Sequence, residues 1–168
     1  MKRIIQIAVL MTIFTACQRN DVQEILNKKK TIVDKTKNTS LLKRTTLLIF
    51  KTKNESGEIN EYYYQVEGSN ISFFRDTLNY DSEFYNNQKL NQTLLDSRVK
   101  DYNNFLRDYH IESYSSDFSN KGVELKFYLT EGGVLLYVPE LNLLKDDIYK
   151  KYIEDSEFLE KDWYFSKN

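Results

Sequence analysis

Few side chains in this 168-residue chain are of types that commonly do chemistry. There is one cysteine, Cys17, and one histidine, His110. A single thiol excludes an internal disulfide and a multi-thiolate zinc or iron–sulfur site, and a single imidazole excludes a histidine-rich metal centre within one chain. Neither a phosphate-binding glycine loop nor a Gly-x-Ser-x-Gly elbow occurs. The sequence therefore predicts no cofactor and no metal ligand.

Acid–base catalysis would have to use His110 or a pair of carboxylates. His110 lies at the end of a predicted long helix, beside Asp108 and Glu112. A cation at a helix C-terminus interacts favourably with the helix dipole, so we interpret His110 as a capping or surface residue. Neighbouring carboxylates fall on the solvent side of a second predicted helix, as Asp146/Asp147, Glu154/Asp155 and Glu157/Glu160. Chance pairs are expected in an acidic chain, so we predict no catalytic residue.

The first seventeen residues, MKRIIQIAVLMTIFTAC, have the pattern of a secretory signal. Lys2 and Arg3 precede an apolar run over residues 4–16, which as a helix would span roughly 20 Å, less than the roughly 30 Å hydrocarbon core of a membrane. The segment Phe14-Thr15-Ala16-Cys17 resembles the lipobox of bacterial lipoproteins, with Phe14 where leucine is usual. The resemblance implies cleavage before Cys17 and lipid attachment to it.

This resemblance covers residues 1–17 only and implies a place in the bacterial cell envelope. Several acyl chains on Cys17 would make a stable membrane anchor, because each buried methylene contributes about 0.8 kcal/mol. By resemblance to enterobacterial lipoproteins, Gln18 rather than aspartate after the lipid site implies onward transport to an outer membrane. The membrane is therefore an expected partner, through Cys17.

Charge is unevenly distributed along the rest of the chain. Residues 19–53 contain ten lysines and arginines against three acidic residues, whereas residues 54–168 contain twelve against twenty-two. The basic segment is expected either to attract anionic headgroups or to be a solvated tether. The acidic remainder favours a basic protein partner or a cation over nucleic acid, for which no RNP, helix-turn-helix or zinc-finger pattern occurs.

The domain organisation predicted from composition and periodicity is a signal peptide over residues 1–16, a basic membrane-proximal tether or helix over 17–43 and one domain over 44–168. Strands are predicted at residues 45–53, 59–66, 71–75, 123–130, 134–138 and 163–165, and helices at 82–110 and 145–159. Asp81 or Ser82 is expected to cap the long helix, whose apolar stripe is Leu95, Val99, Tyr102, Leu106 and Tyr109. The second helix is expected to bury Ile148, Tyr152, Ile153 and Phe158.

The expected fold is α+β, with a single antiparallel sheet of about five to six strands and a long helix packed across one face. Such an arrangement resembles cystatin-like or NTF2-like architecture, by analogy alone. Consecutive strand residues point to opposite faces, so one member of each aromatic run is expected on the less buried face. We take Tyr63, Tyr128, Tyr137 and Trp163 as a candidate binding surface, unless helices cover them.

These features favour a membrane-anchored lipoprotein that acts as a non-enzymatic protein-binding module, such as an inhibitor or immunity-type protein. The alternatives are a small-ligand or glycan-binding accessory lipoprotein, a small envelope hydrolase and a purely structural envelope lipoprotein. A roomy apolar pocket with inward polar groups would favour ligand binding. A cleft in which His110 or two carboxylates converge would favour a hydrolase.

Overall fold

The computed structural model describes residues 22–67, 70–73, 92–118 and 122–167. The predicted signal and Cys17 lie outside these residues, as do the expected caps Asp81 and Ser82 and the start of the long helix. The helical elements are residues 22–27, α1 (Lys29–Thr36), α2 (Gln92–Asp108), a 3-10 turn (Leu141–Leu143) and α3 (Asp147–Glu154). The strands are β1 (Thr39–Arg44), β2 (Leu47–Lys53), β3 (Ile59–Glu67), β4 (Asn70–Phe73), β5 (Ile111–Ser116), β6 (Leu125–Leu129), β7 (Val134–Tyr137), β8 (Glu157–Glu160) and β9 (Trp163–Ser166).

All nine strands belong to one antiparallel sheet, in the order β4-β3-β2-β1-β5-β6-β7-β9-β8. Two meanders, β1–β4 and β5–β7, begin side by side at β1 and β5 and extend in opposite directions, and the β8–β9 hairpin continues the second one through the pairing of β9 with β7. The prediction of one helix across a sheet of five to six strands was wrong, and so is the cystatin-like or NTF2-like analogy drawn from that arrangement. The three strands that sequence patterns missed are β1, β5 and β8.

Each missed strand lacks a local signal. The boundary expected between tether and domain, at residues 43 and 44, falls inside β1. β5 has no recognisable strand pattern because serines occupy it and a register shift between Ile111 and Ser113 interrupts its alternation. β8 was included in the predicted second helix, which ends at Glu154. The expected burial of Ile148 and Phe158 was also wrong, since they are 80% and 62% exposed.

One face of the sheet carries the main hydrophobic core beneath residues 22–36 and α2. Val99 and Leu106 of α2 are buried there, as the predicted stripe requires, together with Ile25 and Ile32 from the first helical segments. Aromatic rings cross this face from strand to strand, with centroids 5.0–6.4 Å apart, in the series Tyr62, Phe50, Tyr102, Tyr114, Phe127, Trp163 and Tyr137. Most of the aromatic content of the described sheet therefore belongs to this core.

The opposite face carries a second, smaller core beneath α3. Asp146 caps α3, because its carboxylate accepts hydrogen bonds from the backbone N–H groups of Ile148 and Tyr149 at 2.9 and 3.4 Å. The buried members of this core are Val123, Val134, Leu136, Val138, Leu144 and Ile153. α3 packs over the part of this face that β6, β7 and β9 form, so it covers only one half of the face.

Polar contacts complete the junction between the two meanders. β1 and β5 share one bridge pair, Leu41 and Tyr114. Beside it the Tyr114 hydroxyl lies 2.7 Å from Thr39 Oγ1, and the Ser116 N–H donates to Ser40 Oγ at 2.8 Å. These buried hydroxyls make up for the short ladder, which explains why a serine-containing segment lies at the centre of the sheet.

Tyr114 also gives the fold a predicted pH dependence. Burial raises the pKa of Tyr114 well above its ordinary value of 10.0, although its hydrogen bond with Thr39 opposes the rise. A raised tyrosine pKa stabilises the fold fully below the unfolded value and loses that contribution as pH rises through the folded value. We therefore expect the free energy of unfolding to fall above about pH 10.

Urea denaturation between pH 8 and 11 measures this dependence. Tyr114→Phe should cost about 1 kcal/mol at neutral pH and make the alkaline decline shallower. Phe158→Ala, which removes an exposed ring without an ionisable group, is the control and should leave the slope unchanged. Identical slopes for wild type and Tyr114→Phe would contradict the assignment.

Candidate functional site

Half of the α3-bearing face is left uncovered by α3, and we call this half the open face. Its strands are β1, β2 and β3, whose pairing sets Lys51 beside Ser40 and Glu61, and Ile49 beside Leu42 and Tyr63. Ile59 and Tyr63 are 44% and 38% exposed here. The described residues of these strands on the open face are Ser40, Leu42, Arg44, Leu47, Ile49, Lys51, Lys53, Ile59, Glu61, Tyr63 and Gln65. Ser40 and Ile49 are buried, and the exposed and half-buried side chains around them interleave apolar and charged groups.

A groove of about 330 Å³ lies where the open face meets α3, and we call it the sheet groove. Tyr149 of α3 forms part of one wall, and Phe118 and Val123 form another part. The polar lining residues are Ser40, Lys51, Glu61, Ser115, Ser116, Asp117 and Lys126. Strands from both meanders contribute, so the groove depends on the junction between β1 and β5.

Fixed charges of both signs lie in the sheet groove. Lys51 forms a salt bridge and hydrogen bond with Glu61 across the β2–β3 hairpin, and the Tyr63 hydroxyl donates to the same carboxylate at 2.9 Å. The hydrogen bond from the Lys51 ammonium is the main cause that holds the pKa of Glu61 below 4.5. Lys126 Nζ lies 3.9 Å from the centroid of the Tyr149 ring, a cation–π contact. The lysines are thus held in place by neighbouring side chains.

A second cavity of about 470 Å³ opens at the end of the sheet near the start of β1. Ser116, Asp117 and Phe118 line both this cavity and the sheet groove. Its other lining residues are Lys37, Asn38, Lys53, Gly122, Glu124, Pro139, Glu140, Leu143 and Lys145. The two concavities therefore adjoin across one short segment after β5.

The four aromatic residues predicted as a binding surface are not brought together. Tyr63 lies on the open face, whereas Tyr128 is half-buried against the second core beneath α3. Tyr137 and Trp163 lie on the opposite, helix-covered face, where their ring centroids are 5.0 Å apart. Trp163 is only 2% exposed. Of the four, Tyr63 alone adjoins the sheet groove, through its bond to Glu61.

Most of the residues that line the sheet groove were not recognisable as site residues from the sequence. Ser40 and Ser115 belong to β1 and β5, which had no recognisable strand pattern. Lys51 and Glu61 were accessible to prediction, since a hairpin from residue 51 to residue 61 sets them opposite each other. Tyr149 and Lys126 meet only through tertiary packing, for which the sequence offers no local signal.

The structure places the residues considered for catalysis in a turn, at a helix cap and in surface ion pairs. His110 is exposed and has φ 53°, and its carbonyl accepts from the Thr130 N–H at 3.0 Å, so it forms the turn from α2 into β5. The hydrogen bond from Lys150 lowers the pKa of Asp147, and Glu160 pairs with Lys29 at 2.7 Å. Within the described ranges, no group of three or more His, Cys, Asp or Glu side chains could hold a metal ion.

Comparisons with known proteins supply no relative from which a function for this site could be taken. Across the part of the chain that the structure describes, no helix is long and apolar enough to span a membrane. No family model matches the chain, and neither a curated protein nor a solved structure is similar to it. The open face, the sheet groove and the charge around them are therefore the features from which a function can be inferred.

Proposed function

We propose that the protein is a membrane-anchored lipoprotein that acts as a non-enzymatic protein-binding module, with the open face and sheet groove as the partner site. The observation that carries the proposal is the uneven cover of the sheet. One face is beneath residues 22–36 and α2, whereas the other is covered by α3 over half its width. Exposed Ile59 and Tyr63, with half-buried Leu42 and Leu47, lie among charged residues on the remainder. Apolar contacts within a polar rim are typical of protein interfaces.

The acidic charge around α3 and on the edge strand β8 favours a basic partner, although the open face itself carries Arg44, Lys51 and Lys53 against Glu61. Residues 145–160, which include α3 and β8, contain six acidic residues and three lysines. Glu154, Asp155 and Glu157 are exposed, and Lys150 is paired with Asp147. A basic protein would be attracted to this side, and complementary charge raises association rates in a salt-dependent way. A toxin or lytic enzyme with a basic surface fits these terms, which is the inhibitor or immunity-type version of the proposal.

The hydrolase alternative has less support. Ser40 and Lys43 have the Ser-x-x-Lys spacing, yet strand alternation directs them to opposite faces of β1. The carboxylates in the sheet groove are Glu61 and Asp117, and Glu61 is bonded to Lys51 and Tyr63. A general acid needs a raised pKa, whereas the pKa of Glu61 is lowered.

The test is affinity capture from envelope fractions of the native host, using the lipidated protein as bait. We expect the wild type to enrich a defined protein, and Ile59→Asp/Tyr63→Asp to reduce its recovery about tenfold or more, because an interface core does not tolerate buried charge. Leu94→Asp on α2 is the matched control, since it changes an exposed apolar residue on the other side of the sheet. Equal recovery with all three baits, or no enrichment over an unrelated lipoprotein, would contradict the proposal.

Glycan or small-ligand binding is the second candidate, favoured by the lining of the sheet groove. Its volume of about 330 Å³ is at the lower end of the range of ligand pockets. An aromatic wall at Tyr149 beside serine hydroxyls and lysines suits a sugar ring. Titration with envelope oligosaccharides, followed by NMR shifts, tests this: Tyr149→Ala should abolish binding while Ile59→Asp/Tyr63→Asp reduces only protein capture.

A further inference from the structure

We infer that α1 is a second membrane contact, and that its lysines bind anionic lipid headgroups so that the open face points away from the bilayer. The inference rests on the proposed function, in which a lipid on Cys17 anchors the protein to the membrane. Val22 is five residue steps after Cys17, a reach of at most about 18 Å. Val22, Ile25 and Leu26 are buried in the main core. The anchored body is therefore held close to the membrane, on the side where its first helical segment lies.

Residues 28–37, which contain α1, carry a concentrated positive charge of five lysines against one acidic residue, Asp34. Lys28, Lys30 and Lys37 are exposed, and Lys29 reaches Glu160 at 2.7 Å. Within the described ranges, Lys28 and Lys30 make no ion pair, and the pair of Lys37 with Glu124 is long, at 3.9 Å. These cations are therefore available to an external anion.

Packing fixes the orientation of α1. Ile32 and Thr36 are fully buried against the sheet, and the Tyr102 hydroxyl donates to the Lys35 carbonyl at 2.8 Å. Lys35 Nζ lies 4.7 Å from the centroid of the Phe105 ring, so it is held over α2. The helix cannot roll to bury its lysines, and the exposed ones stay on the outer surface of the helix-covered face.

The charges of α2 and α3 indicate which face of the sheet turns toward the membrane. α2, which shares this face, contains three basic and three acidic residues. α3, on the opposite face, contains two acidic residues and two lysines. An anionic bilayer therefore attracts α1 but not α3, so the charge favours one orientation. That orientation presents the open face and the sheet groove outward, where a soluble partner could reach them.

The first test separates this contact from the anchor. The mature chain carrying Cys17→Ser, which has no acylation site, is mixed with vesicles of phosphatidylcholine, with or without phosphatidylglycerol. We expect about tenfold stronger association with the anionic vesicles, decreasing as salt is raised. Lys28→Glu/Lys30→Glu should remove the preference. Lys151→Glu/Lys161→Glu, an equal charge change at exposed positions elsewhere, should keep it.

A loss that is equal in both double variants, no preference for anionic vesicles, or binding to soluble polyphosphate without binding to vesicles would overturn the inference. Failure of the lipid anchor does not affect this assay, because the protein tested carries no lipid. Orientation is then measured on the lipidated protein with an impermeant thiol reagent. Thr31→Cys on α1 should be protected on anionic vesicles and Ser56→Cys on the β2–β3 turn should react, and the reverse pattern would also overturn it.

Discussion

Replacing Trp163 with alanine is expected to lower the free energy of unfolding by about 3–5 kcal/mol. The indole is 2% exposed and lies between two other rings, with centroid distances of 6.1 Å to Phe127 and 5.0 Å to Tyr137. Removing it leaves a cavity in the aromatic series that joins β6, β7 and β9. Since natural domains have about 5–15 kcal/mol of stability, the variant should unfold at a much lower urea concentration.

Phe158→Ala is the matched control for Trp163→Ala. Phe158 also contacts a ring of β9, Tyr164, with centroids 5.6 Å apart, but it is 62% exposed on the edge strand β8. Its loss should cost no more than about 1 kcal/mol, because little surface returns to water. Similar losses of unfolding free energy for the two variants would contradict the burial of Trp163. They would mean that its ring is accessible to a binding partner.

Hydrophobic alternation in the sequence was enough to predict the strands whose burial is decided locally. Residues Val123 to Leu129 alternate apolar and polar side chains, and β6 buries Leu125, Phe127 and Leu129 accordingly. β5 shows why the same reasoning fails elsewhere. Ser116 is half-buried there because its N–H donates to Ser40 Oγ and its hydroxyl donates to the carbonyls of Thr36 and Thr39, all in another part of the chain. A prediction that counts every serine as exposed to solvent misses such partners, because they are distant in the sequence.

The amino-acid composition predicted the residues of the binding surface less well than it predicted the fold. The aromatic excess pointed to a surface, yet most of the rings cross the helix-covered face and form the core. Strand alternation does separate Tyr63 from Tyr62 and Tyr64, but the sequence cannot say which face the helices cover. The sheet groove needs α3, β5 and β1 together, so only its Lys51–Glu61 pair was within reach of local reasoning.

Charge segregation connects the two proposals. The basic α1 lies on the helix-covered face, toward which the proposed anchor would lead, and the open face lies on the other side of the sheet. A lipoprotein that binds a partner needs its binding surface turned away from the bilayer, and the two faces of one sheet provide that separation. The vesicle and capture experiments test the two sides independently, because their variants lie on opposite faces.

Gly133→Ala is expected to destabilise the fold by about 2–4 kcal/mol, through backbone strain and overpacking together. Gly133 has φ +84°, a conformation that costs alanine about 1 kcal/mol. An added Cβ would lie 2.7 Å from two carbons of the Phe165 ring and 3.2 Å from the Ser166 carbonyl oxygen. Phe165 is buried in the main core, so its ring has little room to withdraw.

Gly57→Ala isolates the contribution of the contact with Phe165. Gly57 has nearly the same backbone conformation, φ +87°, but a Cβ there would meet nothing within 4 Å. It should therefore lose only the conformational part, about 1 kcal/mol, measured by urea denaturation at neutral pH. Phe165→Leu in the Gly133→Ala background should recover part of the difference, because neighbouring substitutions couple. Equal losses at the two glycines would mean that the β6–β7 turn yields to the added methyl group, and that Phe165 does not hold it in place.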